Sequence, residues 1–97
     1  MILVRDVFQL NFGQARPVKV LMQESKKLMG DDAKNSRVMF DLIGPSYTMV
    51  LEFTYQNLAE FEKSMSDTTS KEEWGVWYQK FVPHIKSSYR EVFTILD

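Results

Sequence analysis

The sequence predicts a ferredoxin-like α+β sandwich with the order strand, helix, strand, strand, helix, strand on one four-stranded antiparallel sheet. Three observations carry this prediction. Four segments alternate apolar and polar residues with a period of two, and segments between them repeat apolar residues at three and four. The two central alternating runs meet at Gly44-Pro45-Ser46, a hairpin signal. Helices between strands impose crossovers while the hairpin is antiparallel. A split βαβ arrangement, with both helical segments on one face of the sheet, satisfies both constraints most simply.

The first strand is read over 2–12, where Ile2, Val4, Phe8, Leu10 and Phe12 alternate with Leu3, Arg5, Val7, Gln9 and Asn11; Asp6 breaks the apolar set and Gly13 ends it. A helix over about 15–29 has Pro17 in its first turn, where a missing N–H costs little. Val18, Leu21, Met22, Leu28 and Met29 form its stripe, and Gly30 suits a left-handed stop. Residues 30–35 read as a polar loop. Val38, Phe40 and Leu42 alternate before the turn; Tyr47, Met49, Leu51, Phe53 and Tyr55 alternate after it. Asn57 and Glu60 mark a helix start, with Leu58, Phe61 and Met65 as its stripe and an interruption at 66–69. Ser70 and Glu73 form a second capping box ahead of Trp74, Trp77, Tyr78, Phe81, Val82 and Ile85, and Pro83 kinks or ends that helix. The last strand is read over 87–96.

The two sheet faces differ. Val4, Phe8, Phe40, Met49, Leu51 and Phe53 belong under the helices. The other face sets Val7, Met39, Ile43, Val50 and Val92 beside Arg5, Gln9, Glu52, Thr54 and Arg90. That face is too apolar for a fully solvated sheet, so a homodimer packed sheet to sheet is expected.

Composition narrows the function. In 97 residues there is room for one domain, and 12 basic against 13 acidic side chains leave a formal charge of −1. That balance argues against a nucleic-acid or anionic-membrane partner. No apolar run reaches the roughly 20 residues of a bilayer span. The start, Met1 to Asp6, has no secretory-leader pattern, so a cytoplasmic location is expected. Cysteine is absent and His84 is the sole histidine, which disfavours thiolate catalysis and a transition-metal site; no cofactor is expected. The four glycines are isolated and form no phosphate-binding loop.

The run Phe8-Gln9-Leu10-Asn11-Phe12-Gly13 before a helix resembles the start of dimeric α/β-barrel proteins. So does Glu73-Trp74-Gly75-Val76-Trp77-Tyr78-Gln79-Lys80-Phe81-Val82-Pro83 before the last strand. The nearest flavours are the NIPSNAP-like and antibiotic-biosynthesis-monooxygenase-like proteins. The Arg-Pro pair usual in NIPSNAP endings is missing from Tyr89-Arg90-Glu91-Val92-Phe93. The resemblance implies a homodimer whose two sheets form a barrel, with a small-molecule pocket between sheet and helices. Haem-degrading members of that superfamily use an Asn on the first strand, then a Trp and a later His; Asn11, Trp74 and His84 occur in that order, although Asn11 sits at the strand's end and Pro83 precedes His84.

Two catalytic candidates follow from the residues. His84 is the natural acid or base near neutral pH, and at about 100° per residue it shares a helix face with Trp77. The alternative is a half-exposed histidine after a helix-ending proline. Asp6 is an anomaly on an apolar face, and Glu91 on the neighbouring last strand is another. Two carboxylates in an apolar setting would raise one pKa and make a general base. Alternatively, each is paired with Arg5, Arg37, Arg90 or Lys80. With Trp77, Trp74, Glu91 and Asn11 as ligand-binding candidates, the expected function is small-molecule binding, or cofactor-independent monooxygenase-like catalysis, on an apolar or aromatic compound. The alternative is a non-catalytic interaction or regulatory domain that uses the barrel only to dimerise.

Overall fold

The computed structural model describes residues 1–96. Its elements are β1 (Ile2–Leu10), α1 (Ala15–Met29), β2 (Ser36–Phe40), β3 (Thr48–Tyr55), α2 (Leu58–Thr69), α3 (Glu72–Phe81) and β4 (Ile85–Thr94). The sheet order is β2-β3-β1-β4, and each neighbouring pair is antiparallel. This is the expected ferredoxin-like fold. The four strands form an open sheet rather than a closed barrel.

Several local expectations are corrected. The β2–β3 connection is a seven-residue loop, 41–47, not a tight turn at Gly44-Pro45-Ser46. Asp41 shapes it: its carboxylate accepts from the Ser46 N–H at 2.6 Å and the Thr48 N–H at 3.0 Å. Leu42 and Ile43 therefore sit in that loop, 97% and 96% exposed, instead of extending the strands. Residues 30–35 form a short 3₁₀ helix. Residues 66–69 complete α2 without interruption. Asn57 caps α2 as expected, its Oδ1 accepting from the Glu60 N–H at 2.9 Å. Ser70 does not cap α3: its hydroxyl donates back to the Asp67 carbonyl, and Lys71 stands at the cap without a side-chain bond. Lys71 instead donates its ammonium to the Leu28 carbonyl at 2.7 Å, tying the α2–α3 junction to the end of α1.

Pro83 ends α3 in a short 3₁₀ turn, Val82–His84, and β4 follows at once. A register shift between Gln9 and Leu10 accommodates that entry. Beyond it, Phe8 pairs with Ser88, Asp6 with Arg90 and Val4 with Val92. Residues directly opposite in an antiparallel pair share a face. Arg90 and Val92 thus lie on the helix-covered face, which corrects their expected place on the other side. Arg5 pairs with Glu91, so Glu91 takes the open face.

The register orders the open face into rows. Arg37, Glu52, Arg5 and Glu91 follow one another across β2, β3, β1 and β4, with alternating charge. Beside them runs Met39, Val50, Val7 and Tyr89. The mixed composition of this face is therefore a charged stripe bordered by an apolar one.

On the covered face the core forms two clusters. Leu10, Val18, Leu21, Met22, Met49, Trp77 and Phe81 make the larger, under α1 and α3; Val4, Phe53 and Phe61 make the smaller, under α2. Trp77 anchors the larger by donating its indole N–H to the Leu21 carbonyl at 2.6 Å.

Candidate functional site

Between the two clusters lies a cavity of about 790 Å³. Its inner wall comes from the buried residues Asp6, Met22, Ser25, Met49, Trp77 and Phe81, with Phe8, Leu51, Met29 and Met65 beside them. Its rim carries the exposed residues Thr69, Gly75, Tyr78, Val82, Ser88, Tyr89 and Arg90. The opening therefore faces outward between α3 and the edge strand β4. α3 brings Trp74, Trp77 and Phe81 to the cavity, and β4 brings Ile85, Ser88 and Arg90.

The wall is aromatic and thioether-rich. Trp74 and Trp77 stack with ring centres 4.7 Å apart, Trp77 and Phe81 at 4.8 Å, and Phe8 meets Phe81 edge-on at 5.4 Å. Four methionines line it, and flexible thioethers adapt to irregular apolar shapes.

One charged pair interrupts this surface. Arg90 Nε donates to Asp6 Oδ1 at 2.6 Å and Nη2 to Oδ2 at 3.1 Å, a bidentate fork. The Asp6 side chain is 9% exposed and that of Arg90 43%. The Arg90 carbon centre lies 5.1 Å from the centroid of the Phe61 ring. Its bond to Asp6 raises the Arg90 pKa above the ordinary arginine value, against the opposing effect of burial.

The candidates read from the sequence divide between two places. Asp6, Trp74 and Trp77 meet at the cavity. Glu91 does not join Asp6: the two strands are neighbours, but register puts the carboxylates on opposite faces, and the partner of Asp6 is Arg90. The paired-carboxylate base is therefore not formed. His84 and Asn11 meet each other outside the cavity lining. The Asn11 N–H donates to the His84 carbonyl at 2.8 Å, and Asn11 Nδ2 donates to the Pro83 carbonyl at 2.9 Å. His84 Nδ1 lies 2.7 Å from Gln14 Oε1, turned away from Trp77 because the 3₁₀ turn at Pro83 breaks the helical phase. Trp74 is on the cavity side, so Asn11, Trp74 and His84 do not converge there. Among the described residues no group of three or more His, Asp or Glu could hold a metal ion, and no helix is long and apolar enough to cross a membrane.

Sequence reasoning offered Arg90 among the cations that pair with Asp6, and the structure forms that pair, but it did not place Arg90, the four methionines or Gly75 at a cavity. The signal for Arg90 was Asp6 itself, since a carboxylate on an apolar face calls for a cation on the same face of a neighbouring strand.

The fold recurs over the whole chain in solved structures of low sequence identity. A NIPSNAP family protein from Agrobacterium tumefaciens superposes with a TM-score of 0.91 at 15% identity, covering 99% of this chain and 86% of that one. The fold is the one NIPSNAP proteins adopt. A NIPSNAP domain protein from Burkholderia xenovorans gives 0.85 at 11% identity, covering 99% and 95%. An antibiotic-biosynthesis-monooxygenase-like protein from Nitrosomonas europaea gives 0.75 at 9%, covering all of both chains. No family model matches the sequence, and no curated protein matches it as a relative. The likeness therefore lies in architecture, and the chemistry must be argued from this chain's own side chains.

Proposed function

We propose that this protein binds a small apolar or aromatic compound in the cavity between α3 and the sheet. The observation that carries the reading is the cavity itself: about 790 Å³ walled by aromatic rings and thioethers, with the Asp6–Arg90 pair as its charged element. Volumes of roughly 300–1,000 Å³ and apolar walls with a few placed polar atoms characterise small-molecule sites. A domain serving only to dimerise would pack this space with its own side chains. The shared fold with an antibiotic-biosynthesis-monooxygenase-like protein supports a small-molecule reading.

The open sheet face supports a homodimer as the setting of that site. The row Arg37, Glu52, Arg5, Glu91 alternates in sign, so a two-fold axis along the strands would lay each cation over an anion of the second copy. Arg5 Nε is buried yet has no hydrogen-bond partner among the described residues, and a facing carboxylate would supply one.

The test of ligand binding uses the neutral fluorescent probe N-phenyl-1-naphthylamine. It should bind saturably, one per chain, and quench Trp74 and Trp77 emission by energy transfer. Absence of saturable binding, with tryptophan emission unchanged, overturns the proposal.

A further inference from the structure

Among the described residues Arg90 is the one cation on the cavity wall, and the fork to Asp6 uses only part of it. A guanidinium carries five N–H donors. Asp6 takes the Nε–H and one Nη2–H, which leaves three donors without a partner among the described residues. The carboxylate is covered while the guanidinium stands at the rim, so the pair presents its cationic edge and hides its anionic one. Phe61 packs near the guanidinium, and Asp6 fixes its rotation. Such a group is a directional donor held in place before any ligand arrives, and that reduces the ordering cost of binding.

We infer that the cavity takes an amphipathic organic anion, a compound whose apolar or aromatic body lies against Trp74, Trp77 and the methionines and whose carboxylate or enolate oxygen meets the free edge of Arg90. The inference rests on the binding reading above and adds the charge of the ligand. Geometry supports the order of contacts. Arg90 is at the opening and the rings are deeper, so the body enters first and the anion remains near water, where its desolvation is least costly. Among the described residues no acidic side chain but Asp6 lines the cavity, and Asp6 is engaged by the Nε and Nη2 edge of the guanidinium.

The experiment compares 2-naphthoate with its neutral near-isostere 2-naphthamide by calorimetry at neutral pH. The naphthoate is expected to bind at least about tenfold tighter, as an added charge-assisted hydrogen bond implies. The variant that separates causes is Asp6→Asn with Arg90→Gln together. It replaces the ion pair by two neutral amides, so no charge is stranded, and it should erase the preference for naphthoate over naphthamide. In the parent protein the Arg90 Nε resonance should shift on adding naphthoate and stay in place with naphthamide, a readout that does not depend on any variant folding. Equal affinities for the two probes, a preference that survives in the double variant, or an unmoved Arg90 resonance would overturn the assignment of the anion and leave apolar binding intact. Binding of neither naphthalene probe, nor of N-phenyl-1-naphthylamine, would overturn both.

Discussion

Gly75 offers a perturbation whose effects on stability and on binding should have opposite signs. It lies inside α3, at the rim of the cavity, and a Cβ built on it meets nothing within 4 Å. Its φ is not in the left-handed region, so its backbone makes no demand for glycine. Glycine in a helix interior costs about 0.8–1.0 kcal/mol relative to alanine, and leucine is nearly as good as alanine. In a domain of this size, 1 kcal/mol moves the melting temperature by roughly 4–8 °C. Gly75→Ala and Gly75→Leu should therefore both melt several degrees above the parent. The leucine, however, puts a branched side chain at the cavity rim. Overlap with an occupant costs about 1–3 kcal/mol, which weakens N-phenyl-1-naphthylamine binding by about tenfold to a hundredfold; alanine should change it little. Thermal melts and a fluorescence titration on the three proteins suffice. Unchanged affinity in Gly75→Leu would refute the placement of the ligand beside α3. A lower melting temperature in Gly75→Ala would refute the account of the helix.

The Asp6–Arg90 pair should show strong coupling in a double-mutant cycle read by chemical denaturation: Arg90→Gln strands a buried carboxylate and should cost about 1–3 kcal/mol, more than Asp6→Asn, whose arginine can turn to water, and the double variant should lose well less than the sum of the two losses. Asp6→Asn and Glu91→Gln should instead be additive, because they lie on opposite faces; coupling between them would mean the register is wrong. His84→Ala should leave probe binding unchanged and cost no more than about 1.5 kcal/mol, the worth of its one bond to Gln14; lost binding would return His84 to the site. Val50→Lys, on the apolar row of the open face, should shift sedimentation from about twice 11.4 kDa toward the monomer, and a monomeric parent at micromolar concentration would refute the dimer.

The element order was legible because local periodicity and packing agree. Helix α1 ends where Gly30 takes a φ of 61°, and Asn57 caps α2, both signals that act within a few residues. The strands β1 and β3 are central, buried on one face, and their alternation is clear. The parity of β4 was not legible. As an edge strand it is exposed on both faces, so Tyr89, Val92 and Phe93 supply apolar residues to each side and no alternation stands out. Its start follows a 3₁₀ turn and a register shift, which a period count cannot see. One residue of phase then moved Arg90 to the wrong face and made Glu91 look like a neighbour of Asp6.

That single phase decides the chemistry read from the cavity. With Glu91 beside Asp6, two carboxylates would share a site, one would hold a proton, and the cavity would be suited to abstracting one from a ligand. With Arg90 there, the carboxylate accepts from a cation at both oxygens, which occupies lone pairs a base would use. On the proposed reading the pair is a binding element: Asp6 orients, Arg90 donates, and the aromatic wall supplies the apolar contact. Glu91 in turn completes the charged row on the open face, where it alternates with Arg5, Glu52 and Arg37. The two anomalous acids of the sequence thus belong to different surfaces, one lining the cavity and one on the open face of the sheet. Asp6 variants should accordingly alter the preference for naphthoate without changing sedimentation, and Glu91 variants should do the reverse.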